Sequence, residues 1–430
     1  MFVVDPQLDL AAGRAVDEFL RLGATSRAAL LAQLRAKMQL GDSDLVACVG
    51  SIAEGLGNCK SDLDLLWISP RSTPPREKLA FVAGQCLVDV EVCRLQRIGE
   101  LVTRLESWAK LPWSLAHTSN FTLDERRLLH RLLNGHVLYA GRKQAMSRRL
   151  PLRADLARLK LHIARHMSRT IQVDMVGYRE EEDYCSLVFA AQELLGHATD
   201  ALLAGHHITN PAPKWRWRLL TQLPRNWERA LCVRPTGLPV VDLLWRLHRA
   251  PSRPGKNASL EHAFRIASFT RAVFVWAEQR VLNSPRNVQW VASSGRAKPS
   301  SGGVILPHLD LDIDFAWRGC RVDVGRLNTF GGTLDISPRE LALALLFDGK
   351  TTAAEAEALV FGSRAMVRGA ARATRLFQRL TQANFTVHER KGAGPTDMRR
   401  AARRPGSVAR THADTRLDLR LPQKEGRARP

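Results

Sequence analysis

Chemistry in this chain gathers in one short stretch. Asp62 and Asp64 stand two residues apart at the head of an apolar run, and a Gly50-Ser51 pair precedes them by roughly ten residues. On a strand, residues i and i+2 point to the same face, so both carboxylates face one way. Two hard oxygen ligands on one face suit Mg²⁺ or Mn²⁺ when it bridges nucleotide phosphates. A glycine followed by serine turns the backbone without a Cβ, so its N–H groups can face a phosphate. A third carboxylate should come from a neighbouring strand, and Val88-Asp89-Val90-Glu91-Val92 offers two, again at i and i+2. Spacing does not separate them. Asp89, nearer the strand centre, is preferred.

These residues need elements to hold them. Residues 11–39 carry apolar positions such as Val16, Phe19, Leu20, Leu30 and Leu34 at helical spacing and predict one helix. Leu45–Val49 is a short all-apolar run, as a buried strand would be, and Leu63–Ser69 is a second. Residues 77–84 predict a short helix and 85–94 a third strand. The order is α, β, turn, β, α, β. From 99 to 285 the pattern is helical, most clearly over 186–206, where Val188, Ala191, Leu194, Leu195, Ala198, Ala201 and Leu202 make one apolar face. Helices are also expected over 101–108, 123–133, 152–168, 214–222, 237–248 and 259–281. Residues 293–303 read as a linker of small and polar residues. Beyond it, 304–324 predicts short strands, and 337–346, 353–361 and 366–380 predict helices.

The wording Gly50-Ser51, then Asp62-Leu63-Asp64, with apolar residues beside each acid, resembles the nucleotidyltransferase superfamily. That superfamily includes DNA polymerase β, poly(A) and CCA-adding enzymes and aminoglycoside nucleotidyltransferases. The resemblance covers about residues 11–95, and GSIAEGLGNCKSDLDL is closest to the minimal and antibiotic-modifying branches. It implies an α+β fold with a small mixed sheet and helices at 1–98, and the helical 99–290 is compatible with the partner domain such enzymes carry. Short strands followed by three helices suggest a small winged-helix-like domain at 291–389, and the Arg-, Gly- and Pro-rich composition of 390–430 a disordered basic tail. It implies that Gly50 and Ser51 hold a triphosphate and that Asp62, Asp64 and Asp89 ligate one or two Mg²⁺ or Mn²⁺. Asp89 or Glu91 would assist the attacking group. The reaction implied is attack on the α-phosphate of an NTP, ATP foremost, with pyrophosphate leaving. The segment 345–360 also resembles the helix–turn–helix of small winged-helix domains related to a peptide-binding chaperone of quinone-cofactor biosynthesis.

Other candidates are weaker. Lys214 could reach a phosphate and Trp215 could stack on a base; the plainer reading is a helix start with tryptophan in the core. Glu180, Glu181, Glu182 and Asp183 suit the N-terminus of the helix that follows. His162 and His166, four apart, read as a polar helix face. Asp310, Asp312 and Asp314 alternate as a solvated strand face would. Glu193, in the helical region, is a reserve third carboxylate.

The chain has 430 residues and a net charge of +22. Residues 391–430 hold eleven Lys or Arg against four Asp or Glu, so that segment carries +7 and the rest +15. Such an excess favours polyanionic partners. The acceptor is therefore open: a small molecule, peptide or protein by resemblance, RNA by charge. A non-catalytic nucleic-acid- or partner-binding protein on the same fold is the rival, and the intact Asp62–Asp64 pair speaks against it. Seven cysteines form no C-x-x-C pair, which predicts reduced thiols and a cytoplasmic protein. No apolar run approaches the ~20 residues a membrane span needs. The opening MFVVDPQLDL lacks the basic start of a signal peptide.

Overall fold

The structure, a computed structural model, describes residues 6–71, 78–113, 121–141, 152–223, 240–282, 306–318, 321–327, 332–361 and 370–387. The expected linker at 293–303 and the basic tail lie outside the described residues. The described residues form one compact unit, of mixed α+β class.

Two helices open the chain, α1 (Pro6–Leu22) and α2 (Arg27–Met38), where the sequence predicted one. The break has local causes. Ala24 takes a left-handed φ of 54°, and Ser26 caps α2 by accepting from the Ala29 amide. The sheet follows: β1 (Leu45–Val49), β2 (Leu63–Ser69), β3 (Lys78–Ala83), β4 (Cys86–Arg94) and β5 (His136–Ala140). Its order is β3-β4-β2-β1-β5. Only β2 and β4 run parallel; the other pairs are antiparallel.

Two of these strands correct the sequence reading. Residues 78–83 are a strand, not part of a helix. Leu79 to Ala83 pair with β4 through the tight turn at Gly84, whose φ is +62°. Edge pairing decides there, because local propensity does not. Strand β5 falls inside the stretch read as wholly helical.

The sheet is covered on both faces, which is why β1 is apolar throughout. Val46, Cys48, Leu63, Leu65, Trp67, Val88 and Val90 pack on α1 and α2. Leu45, Ala47, Val49, Leu66, Ile68 and Cys93 pack on α4 (Leu95–Ala109) and α5 (Leu123–Asn134). Each fully buried side chain of this size contributes roughly 1.5–3 kcal/mol. Between β1 and β2 lies the one-turn helix α3 (Gly50–Ala53). Asp64, Asp89 and Glu91 share the α5 side of the sheet.

The helical core is α6 (Arg153–Glu180), α7 (Tyr184–Gly205) and α10 (Lys256–Val281). Alanines 191, 198 and 201, all fully buried, let α7 lie close to its neighbours. Asp183 caps α7, accepting from the Ser186 amide at 3.0 Å. Short helices α8 (Arg216–Thr221) and α9 (Val240–Leu247) pack at the ends. His162 is buried between the Trp108 and Trp113 rings, at 5.7 and 5.2 Å, rather than on a polar face. His166 is exposed.

The C-terminal part holds an antiparallel sheet β6 (Ile313–Arg318), β7 (Arg321–Arg326) and β8 (Leu334–Ile336). Helices α11 (Pro338–Ala344), α12 (Ala353–Phe361) and α13 (Ala371–Gln382) accompany it. Here the solvated acidic face is overturned. Asp310, Asp312 and Asp314 are buried, and only Asp314 belongs to a strand. Arg165 and Arg169 of α6 grip Asp314 at 2.6 and 2.8 Å. Arg179 pairs with Asp310, and Arg326 bridges Asp310 and Asp312 at 3.0 and 2.6 Å. Three arginines of α6, more than a hundred residues away in sequence, pair with Asp310 and Asp314, and Arg326 of β7 pairs with Asp310 and Asp312, so this segment fastens the C-terminal sheet to the helical core. Among the described residues, no helix is long and apolar enough to cross a membrane.

Candidate active site

The chain leaves β1 at Val49 in extended conformation and turns at Gly50, whose φ is +73°. A Cβ at Gly50 would lie 2.4 Å from Asp64 Oδ2. Glycine is required both by the backbone angle and by the nearness of the carboxylate. The turn closes on itself: the Ser51 carbonyl accepts from the amides of Leu56 and Gly57 at 2.8 and 2.9 Å. The next loop is tied by Asn58 and Ser61, with the Asn58 amide donating to Ser61 Oγ at 3.0 Å. Asp62 leaves that loop exposed and Asp64 enters β2 half-buried.

Parallel pairing sets Asp64 level with Asp89 across the β2–β4 ladder, and Leu66 level with Glu91. Arg131, from α5, pairs with Glu91 at 2.5 Å and lies 3.8 Å from Asp64. Burial pushes the Asp64 carboxyl above the usual range; Arg131 and Lys214 oppose this, and Asp89 and Asp62 add to it. Negative charge at Asp64 is thus only partly relieved by the protein, and a cation would relieve it further.

Asp64 and Arg131 face a cavity of about 550 Å³. Gly50, Ser51, Asp62 and Asp64 line one side, and Lys214 and Trp215 the other. Lys60, Arg127 and Arg131 add cations to its wall. Lys214 Nζ lies 4.9 Å from the Trp215 ring centre, and Arg218 stacks beyond at 5.9 Å. Trp215 is half-buried and packs against the edge of the helical core, whereas Trp217 is 40% exposed. The buried residues of α8 are Leu219 and Leu220. Asp89 and Glu91 are not among the lining residues, and Glu193 is exposed on α7 away from them.

No protein-family model and no curated protein matches this chain. The site therefore rests on its own geometry.

Among the described residues, no three His, Cys, Asp or Glu side chains gather into a ready-made metal cage. A magnesium ion shared with substrate phosphates needs only one or two protein carboxylates. Asp62 and Asp64 fit that need, and Asp89 stands beside them.

Sequence reasoning missed the floor of the cavity. Glu54, just past α3, lies 3.0 Å from His130 Nε2 of α5. Asn210 donates to Glu54 Oε2 at 3.0 Å. Burial alone would raise the Glu54 carboxyl, but His130, Asn210 and Lys160 together hold it below the usual range. Arg127, His130 and Arg131 stand at i, i+3 and i+4, which places them along one side of α5. That spacing was a readable signal. The pairing of Asn210 with Glu54 was not, since 156 residues separate them.

Proposed function

We propose that the chain is a metal-dependent nucleotidyltransferase that moves a nucleoside monophosphate from an NTP, ATP foremost, to an acceptor. The observation that carries this reading is the convergence on one cavity of Asp62, Asp64, the Gly50-Ser51 turn and the cations Lys60, Arg127, Arg131 and Lys214. Paired acids facing clustered cations suit a triphosphate that arrives with a divalent ion.

In this reading the Gly50-Ser51 turn offers backbone N–H groups to the phosphates, and Lys214 offers its ammonium. Asp62 and Asp64 hold Mg²⁺ or Mn²⁺. When bound, the ion supplies charge stabilisation at the α-phosphate and the leaving pyrophosphate. Asp89, level with Asp64, is the third carboxylate. Glu91 instead anchors Arg131. Trp215 provides an aromatic face for the base. We extend the proposal to the C-terminal part, where a three-stranded antiparallel sheet with α11–α13 supports a winged-helix-type module.

The test is incubation of the purified protein with each α-labelled NTP, Mg²⁺ and a panel of small metabolites, peptides, proteins and tRNA. Transfer of label to an acceptor supports the reading. Absence of label with every donor, in protein that is folded, overturns it. A second reading, RNA as acceptor, is favoured by the net charge of +22 and by Trp217 and Trp245, exposed and 5.2 Å apart. Label on tRNA alone would select it.

A further inference from the structure

Beneath the cavity, Lys160 sits within α6 with its side chain only 9% exposed. A buried ammonium is costly unless its hydrogens are used. Lys160 Nζ donates to the carbonyls of Asn210 at 2.7 Å and Ile208 at 3.3 Å, and lies 3.7 Å from Asp200 Oδ1. Asp200 does not depend on it, because Arg216 of α8 grips both oxygens of Asp200.

The two carbonyls belong to the turn that leaves α7. His207 there is left-handed, with φ 56°. The Thr209 hydroxyl pairs with His130 Nδ1 at 2.8 Å, and the Asn210 side chain both donates to Glu54 and accepts from the Ala212 amide at 2.9 Å. Pro211 and Pro213 then fix φ on the way to Lys214 and Trp215. A shift at residues 208–210 therefore passes to the cavity wall.

We propose that Lys160 is a positioning residue: by holding the 208 and 210 carbonyls from below, it sets how far Lys214 and Trp215 reach across the cavity toward the Gly50-Ser51 turn. This rests on the nucleotide reading only for what the cavity holds. An apolar residue would pack α6 against α7 equally well but leave both carbonyls without their cation.

Burial pulls Lys160 down to about 8, with Arg216 adding to the effect and Asp200 and Glu54 opposing it. These are the charged groups that face it, from α7, α8 and the turn after α3. Below about pH 8 the ammonium is charged and the turn is held; above it, one donor and the charge are lost.

The experiment compares wild type, Lys160→Met and Lys160→Arg between pH 7 and 9. It follows deuterium uptake in residues 206–212, corrected for intrinsic exchange, and the affinity for a fluorescent ATP analogue. In wild type, uptake should rise about tenfold across pH 8, as expected for loss of a charge-assisted hydrogen bond. Lys160→Met should show the higher uptake at every pH and about tenfold weaker analogue binding. Lys160→Arg should keep low uptake at pH 9. Wild-type uptake and wild-type analogue affinity in Lys160→Met at pH 7 overturn the proposal, and Lys160→Gln is read in the same way should the methionine variant fail to fold. Should the exchange behave as expected while no analogue binds at any pH, the positioning role stands and the nucleotide reading falls.

Discussion

Gly50 and Asp64 are packed so closely that a single methyl group at residue 50 would lie 2.4 Å from the Asp64 carboxylate. The turn after β1 and the first acid of β2 are therefore one unit, although thirteen residues of sequence separate them. Gly50→Ala must displace Asp64, and must also place a side chain on a φ of +73°. A strained position of this kind costs about 1–3 kcal/mol. We expect a lower melting temperature and at least hundredfold slower transfer. A variant with wild-type turnover would show that the turn tolerates a Cβ.

Asp62→Asn and Asp64→Asn should each abolish the proposed transfer, since each removes one of the two carboxylates proposed to hold the metal. The stability of Asp64→Asn should depart from that trend. The Asp64 carboxyl is already pushed up by burial, so its ionised form weakens the folded state at pH 7. Removing that charge should hold or raise the melting temperature while activity disappears. Calorimetry beside a transfer assay checks both.

Asp89→Ala should cost more activity than Glu91→Ala. Asp89 stands level with Asp64 across the β2–β4 ladder, whereas Glu91 is engaged with Arg131. Glu91→Ala frees Arg131 to move toward Asp64, so we expect a loss of about 10–100-fold, the scale of a supporting group. Arg131→Met, which removes a cation of the cavity wall outright, should cost at least as much as Glu91→Ala. Equal effects at 89 and 91, measured as kcat/KM, would place the third carboxylate elsewhere.

Asp314→Ala should unfold the joint between helical core and C-terminal sheet without touching the cavity. Arg165 is buried and shared between Asp314 at 2.6 Å and Glu278 at 3.3 Å. Losing Asp314 leaves that guanidinium undercompensated, which typically costs 3–5 kcal/mol. Chemical denaturation should register the loss, and nucleotide affinity below the transition should be unchanged.

The features legible in the sequence are those with local causes. A buried strand had to be apolar on both faces, so Leu45–Val49 and Leu63–Ser69 stood out. The acids 180–183 marked a helix start near 186; of them Asp183 caps α7, because capping acts within three residues, while Glu180 ends α6. The alternation of Asp62 and Asp64 placed both on one face. What the sequence could not decide depends on partners brought in from afar. Residues 78–83 have no decisive propensity and become a strand only by pairing with β4. His136–Ala140 becomes a strand because β1 offers it an edge. Asp310, Asp312 and Asp314 look solvated until arginines from α6 and β7 close over them. Lys160 reads as one more polar residue on a long helix; only folding sets it under the carbonyls of Ile208 and Asn210. Periodicity reports which face of an element is apolar, but contacts between elements distant along the chain leave no period. They form when the layers close, and it is there that the floor of the cavity was built.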